Sequence, residues 1–191
     1  MIKKLWLRTK VVVWVCSLMV FFHALNMVLG GVFYQYGILP RDIDSLPFVL
    51  SAPWIHGSLS HLINNIIGLA IFSWLCLLRS QRLYVWSSIF IIACSGLMVW
   101  LFGRSAMHIG ASGWIFGLWS LSISLAWFDR KLKNIIIAVL VVVLYGGMIY
   151  GVLPQDSDVS FEAHFFGALS GVVAAWMSTW SVFKTAKKNN K

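Results

Sequence analysis

Charged residues are scarce in this chain, and acidic residues are the scarcest of them. Only 11% of the 191 residues are charged and six are Asp or Glu, whereas 60% are hydrophobic. A soluble domain carries about a quarter charged residues. The composition therefore excludes an ordinary soluble domain and indicates an integral, multi-pass protein of the lipid bilayer. The length leaves no room for a sizeable soluble domain beside it.

Cysteine and proline are also rare. The three cysteines lie inside apolar runs and lack the spacing of metal ligands, so the sequence predicts neither a metal site nor a disulfide framework. No motif for a cofactor is present. Three of the four prolines fall in one connector, at about 34–54, and argue against a continuous helix there.

The excess of positive charge follows the ends of the apolar runs. The net charge is +9, but the basic residues flank hydrophobic segments, so we expect no nucleic-acid partner. Thirteen of the 15 Lys and Arg lie in the N-terminus, two short turns and the C-terminal tail; Arg41 and Arg104 are the exceptions. The positive-inside rule then predicts that both termini are cytoplasmic.

The apolar runs predict an all-α membrane protein with six transmembrane helices. They lie at about 11–33, 56–78, 83–102, 112–128, 135–153 and 161–183. The membrane domain thus covers 11–183, between a basic N-terminus (1–10) and a basic tail (184–191). The first run is long for a signal peptide and lacks a clear cleavage site, so we interpret it as a retained helix. Ser60 is the predicted N-cap of the second helix.

Three polar groups share one predicted depth. The second, fourth and sixth helices all run from the outer to the inner face, and their N-terminal ends carry His61 with Asn65, Ser112, and His164. Polar side chains inside a membrane are costly and usually face the interior of the bundle. We therefore treat them as one candidate site.

This group suits acyl transfer. A serine hydroxyl becomes a useful nucleophile when an imidazole takes its proton, which assigns Ser112 and His164. Small-residue faces, Gly113-x-x-x-Gly117 and Gly167-x-x-x-Gly171, would let the two helices approach closely. Each residue also has a structural interpretation: Ser112 as a packing residue and His164 as a helix-end histidine. Glu162 lies two positions before His164 and points elsewhere on a helix, which favours a dyad over a triad.

The order of these motifs resembles the rhomboid family of intramembrane serine proteases. The matching segments are His61-x-x-x-Asn65, Gly110-Ala111-Ser112-Gly113 and Ala163-His164-x-x-Gly167-x-x-x-Gly171. The resemblance implies a six-helix rhomboid-like bundle with Ser112 as nucleophile and His164 as general base. It also implies an oxyanion site made by His61, Asn65 and the Ser112 backbone amide, with His56 in a supporting role.

Two positions depart from the family pattern. The Trp-Arg pair of the first loop is missing, and residues 47–50 read Pro-Phe-Val-Leu there. Four residues after the nucleophile the family often has a tyrosine that stacks on the catalytic histidine, and here Phe116 keeps the ring without the hydroxyl. Both dyad residues are present, which favours an active enzyme.

The sequence therefore predicts an intramembrane serine endopeptidase whose substrates are single-pass membrane proteins, cut near the outer face. A bacterial inner membrane is the expected location, and specialisation for C-terminal sorting tails stays open. The alternative is a non-proteolytic adaptor that binds client helices on the same fold. A transporter or channel is disfavoured because it would need polar residues continued through the midplane and inner half of the bundle, and the third and fifth helices offer few.

Overall fold

The computed structural model describes residues 2–154 and 159–189, and the regular elements of this part of the chain are helices. The α-helices are α1 (Ile2–Val28), α2 (Leu59–Arg79), α3 (Gln81–Phe102), α4 (Ser112–Phe128), α5 (Leu132–Tyr145) and α6 (Phe161–Asn189). Asp156 and Asp158, between the fifth and sixth predicted helices, lie outside the described residues.

The first helix is shifted towards the N-terminus relative to its prediction. It begins at Ile2, within the basic segment, and ends at Val28. Gly30 and Gly31 follow with φ of 70° and 86°, and the Gly31 amide donates to the Asn26 carbonyl at 2.8 Å. Left-handed glycines of this kind terminate helices, so the prediction that the helix reaches residue 33 was wrong.

Short 3-10 helices replace regular structure in the connector between α1 and α2. They are Val32–Tyr36, Ile43–Val49 and Ala52–Trp54. The N-cap of α2 is Ser58, because its hydroxyl oxygen accepts the His61 amide at 3.1 Å. The prediction of Ser60 as the cap was therefore wrong by two residues.

The fourth helix is the centre of the bundle. Every residue from 113 to 122 is buried, and α4 contacts α2, α3, α5 and α6. Its bounds are those predicted from the sequence. By length and composition, four described segments can cross a membrane: Leu5–Val28, Leu59–Arg79, Gln81–Phe102 and Leu132–Val152. The 17-residue α4 is apolar but shorter, and six crossings stay a prediction.

The fifth predicted helix is divided. The α-helix stops at Tyr145 and a 3-10 helix, Gly146–Val152, continues the chain. Glycine lowers helix propensity, and Gly146 and Gly147 stand together at the change. The other end of α5 is tied to α2 and α4 by Arg79. Its guanidinium donates to Asn134 Oδ1 at 2.9 Å and to the Ser122 carbonyl at 2.9 Å.

Candidate active site

Glycine contacts bring the beginnings of α4 and α6 together. A Cβ added to Gly167 would overlap the Gly113 carbonyl group, and one added to Gly171 would overlap the carbonyl group of Gly117. A Cβ on Gly113 would lie 3.1 Å from the Ala163 carbonyl oxygen. Such close backbone contact requires glycine, and it places the first residues of the two helices side by side.

Ser112 is the first residue of α4. It is half-buried, and the preceding N-cap residue, Ala111, provides no side-chain hydrogen bond to the first amides of the helix. Those amides lack partners within the helix by geometry. Gly110, two residues before Ser112, has a φ of 106°, a backbone conformation that L-residues rarely adopt. The serine therefore stands beside backbone donors.

His164 is held on two sides. Its imidazole is buried, with 7% exposed, and lies face to face with the Phe116 ring at a centroid distance of 4.0 Å and an angle of 9°. Its Nδ1 lies 2.9 Å from the Gly151 carbonyl oxygen. Because a carbonyl only accepts, Nδ1 carries the proton and Nε2 is left with a lone pair. This tautomer suits a general base.

The Ser112 hydroxyl and the His164 ring form no hydrogen bond with each other among the described contacts. Catalytic hydrogen bonds of substrate-free enzymes are often long and tighten when substrate binds. Glu162 is not a third member of the group, because its carboxylate pairs with Arg104 at 3.3 Å. The geometry thus contains a serine and a histidine without an acid.

His61 and Asn65 lie beside the segment that leads to Ser112. A Cβ on Gly110 would come within 2.6 Å of His61 Nε2, so only glycine lets the ring lie there. Asn65 is buried and donates one Nδ2 hydrogen to the His61 carbonyl at 2.8 Å. The two side chains are therefore fixed to each other, close to the start of α4.

A second pair of histidines supports His61. The ring of His56 meets that of His61 edge to face, with centroids 5.1 Å apart. His56 lies in the connector between α1 and α2 and is fully buried. Burial and the neighbouring His61 lower the pKa of His56 to about 4. His23 of α1 donates from Nδ1 to the His56 carbonyl at 3.2 Å. His56 is therefore neutral at physiological pH.

Among residues 2–154 and 159–189, no group of three or more His, Cys, Asp or Glu side chains is arranged to hold an ion.

A profile of the Rhomboid domain matches residues 45–181. The chain belongs to the rhomboid family. Uncharacterized proteins of Mycobacterium tuberculosis and Mycobacterium leprae are 37% and 33% identical over 150 residues, or 74% of this chain. Rhomboid-like protein 11, chloroplastic, of Arabidopsis thaliana is 31% identical over 143 residues, or 67% of this chain. The aligned residues make up 62%, 59% and 51% of these relatives, so the chain spans less than two thirds of their length.

Family membership confirms the resemblance seen in the sequence. Together with the apolar helices it identifies this rhomboid as an integral membrane protein. The matched residues include all the predicted site positions, from His56 to Gly171.

Two residues at the site of this rhomboid were not singled out from the sequence. Gly151 acts through its backbone carbonyl, and a backbone group leaves no signal in residue type. His23 contacts the connector between α1 and α2, where its Nδ1 donates to the His56 carbonyl oxygen. Its position in an apolar run was the available signal, because a buried histidine needs a hydrogen-bond partner.

Proposed function

We propose that this rhomboid is an intramembrane serine endopeptidase that cleaves single-pass membrane proteins within or beside their transmembrane helix, near the outer face. The observation that carries the proposal is the fixed His164 ring near the start of α6, which stacks on Phe116, one helical turn after Ser112 in α4. Phe116 and Gly151 hold this ring in one orientation and one tautomer.

Acylation follows from that tautomer. Ser112 Oγ attacks the carbonyl carbon of the scissile peptide while its proton passes to His164 Nε2. The tetrahedral intermediate then collapses, the C–N bond breaks, and His164 returns the proton to the leaving amine. Water then attacks the ester carbonyl carbon while its proton passes to His164 Nε2. The C–O bond to Ser112 breaks, and His164 returns the proton to Ser112 Oγ. The hydrogen bond from Nδ1 to the Gly151 carbonyl stabilises the imidazolium formed in both steps.

The oxyanion is stabilised from the opposite side. The free amide at the start of α4 donates to it, and Asn65 has a second Nδ2 hydrogen beyond the one given to His61. The His61 ring lies close enough to Gly110 to supply a third donor. Removing one such donor costs about 10²–10³ in rate in a comparable serine protease.

The proposed topology has six crossings with both termini in the cytoplasm, as the distribution of Lys and Arg favours. The site then opens to the outer side, from which water must come. A cavity of about 40 Å³, lined in part by Gly110, Gly113 and Ser95, has room for water near the start of α4. The mycobacterial relatives favour a bacterial inner membrane. We place substrate entry beside α5.

The test is cleavage of a model single-pass substrate by purified protein in liposomes. Ser112→Ala and His164→Ala should each lower the rate by at least about 10³-fold, since the members of such a catalytic unit act together. Ser124→Ala is the matched control, because Ser124 lies on the same helix about 18 Å away at 1.5 Å per residue. It should cleave like the wild type.

Labelling by a fluorophosphonate separates the proposal from the adaptor alternative. A wild-type protein that is labelled at Ser112 but cuts nothing has a working site and the wrong substrate. A wild-type protein that is neither labelled nor active, yet binds client helices, is the non-proteolytic adaptor.

A further inference from the structure

Four polar side chains join the connector between α3 and α4 to the start of α6. We call this group the outer latch; its members are Arg104, His108, Ser160 and Glu162. His108 Nδ1 lies 2.6 Å from Ser160 Oγ, and Ser160 Oγ lies 3.3 Å from Glu162 Oε2. The other carboxylate oxygen, Glu162 Oε1, lies 3.3 Å from Arg104 Nε.

The connector side of the latch is rigid. His108 Nε2 lies 3.1 Å from the Arg104 carbonyl oxygen, so Nε2 donates and Nδ1 is an acceptor. The single Ser160 hydroxyl hydrogen is shared between His108 Nδ1, the nearer acceptor at 2.6 Å, and Glu162 Oε2 at 3.3 Å. Burial lowers the pKa of His108, which keeps this neutral form at physiological pH. The His108 backbone exchanges two hydrogen bonds of 2.9 Å with Ile38 in the first connector. Two residues further along, the Gly110 amide donates to the Ala52 carbonyl at 2.8 Å.

The helix side of the latch is the N-terminus of α6. Ser160 Oγ accepts the Ala163 amide at 3.1 Å. The same hydroxyl therefore caps α6 and contacts His108. Glu162 is 7% exposed, and a buried carboxylate must be paired to remain charged. Arg104 provides that pair and also donates to the Val159 carbonyl at 2.8 Å. His164 is the fourth residue of the helix that is fixed in this way.

The latch therefore connects two segments with separate tasks. The connector that carries His108 leads through Gly110 to Ser112, and the helix capped by Ser160 carries His164. The glycine contacts between α4 and α6 begin at Gly113, within the helices. The latch instead joins the residues that precede the two helices, Arg104 and His108 before α4 and Ser160 before α6.

We propose that the members of the outer latch are positioning residues, which align the start of α6 with the segment that carries Ser112. This inference rests on the proposed function for its catalytic meaning. Losing the latch should slow the attack of Ser112 while leaving substrate affinity and most of the fold intact.

The test compares two N-cap serines. Ser160→Ala removes both the N-cap of α6 and the latch contact. Ser80→Ala removes only the N-cap of α3, in which the Ser80 hydroxyl accepts the Leu83 amide at 3.4 Å. Ser160→Ala should lower kcat and the rate of fluorophosphonate labelling about tenfold, with KM changed less than twofold. Ser80→Ala should lower the melting temperature similarly and keep the wild-type rates. Ser160→Thr retains the hydroxyl and should restore labelling to within threefold of the wild type.

Equal slowing by Ser80→Ala and Ser160→Ala would overturn the latch, because it would then be an ordinary helix cap. Glu162→Gln provides a second variant that keeps the shape of the side chain. It should slow labelling in the same direction as Ser160→Ala, and wild-type labelling by both would also overturn the proposal.

Amide hydrogen exchange in residues 103–111 separates this inference from the proposed function. Ser160→Ala should speed exchange in that connector, and Ser80→Ala should leave it unchanged. If the wild type neither cleaves nor is labelled, the proposed function fails, but faster exchange still establishes the latch between the two segments. Unchanged exchange in Ser160→Ala overturns the latch even in an active enzyme.

Discussion

The central helix α4 has two very different neighbours. Against α6 it makes backbone contacts at two glycine pairs, so close that neither Gly167 nor Gly171 has room for a methyl group. Against α5 it makes side-chain contacts, and α5 presents much of its surface outward, with Val143 75% and Leu144 67% exposed. We call the α4–α6 interface the seam, because the two backbones are in contact there. We call the α4–α5 interface the flank, because much of α5 is exposed.

The candidate site draws on both neighbours. His164 belongs to the rigid seam, while the carbonyl that orients its ring comes from Gly151, in the 3-10 segment that follows α5. A serine protease needs its base aligned with its nucleophile to within a fraction of an ångström, which suits the seam. A substrate helix would have to reach the site from the lipid, and the more exposed α5 side is suited to that entry.

The largest expected effect comes from breaking the seam. Gly171→Ala would push a methyl group into the Gly117 carbonyl and the Ser120 hydroxyl. Backbone cannot move aside cheaply, so we expect destabilisation of about 3 kcal/mol or more, measured by thermal unfolding in detergent. Gly146→Ala is the matched control, since its Cβ would lie 4.0 Å from Val142 Cγ1. Similar melting of both variants would contradict the contrast between seam and flank.

A smaller effect is expected from releasing the N-terminal end of α5. Arg79→Met removes the hydrogen bonds to Asn134 and Ser122, and bonds to a charged group contribute about 1.5–3 kcal/mol each. We expect a loss of about 2 kcal/mol in unfolding free energy in mixed micelles, together with faster amide exchange in α5. Arg82 is close in sequence and exposed, so Arg82→Met should change neither the unfolding free energy nor the exchange in α5. Unchanged exchange in α5 would show that the flank is held by its apolar contacts alone.

The smallest effect concerns the point where the flank meets the site. A Cβ at Gly151 would lie 2.8 Å from Phe116 Cζ and 3.4 Å from His164 Nδ1, whereas one at Gly147 meets nothing within 4 Å. Gly151→Ala should therefore displace the stacked rings and lower kcat/KM about tenfold, or about 1.4 kcal/mol. Gly147→Ala should match the wild type in the same cleavage assay. Equal activity of the two variants would remove Gly151 from the description of the site.

Several features of this rhomboid follow from local sequence. The bounds of α4 were predicted correctly because a Gly-Ala-Ser-Gly start and a charged turn at Asp129 enclose an uninterrupted apolar run. Membership of the family was predicted from three short motifs in order and is confirmed. The end of α1 was misplaced because hydrophobicity continues past Gly30 and Gly31, and only the backbone conformation shows that they stop the helix.

The sequence by itself determined the membrane setting, the helical class and the residues that carry the candidate chemistry, because composition, period and motif are local properties. The tertiary structure decided which groups meet. It brought three pairs within hydrogen-bond distance: Gly151 with His164, His23 with His56, and His108 with the α6 cap residue Ser160. These contacts join residues 13 to 52 positions apart, and two of the three use a backbone carbonyl. Residue type and spacing do not encode such contacts, since they depend on how tightly the glycine faces let whole helices approach.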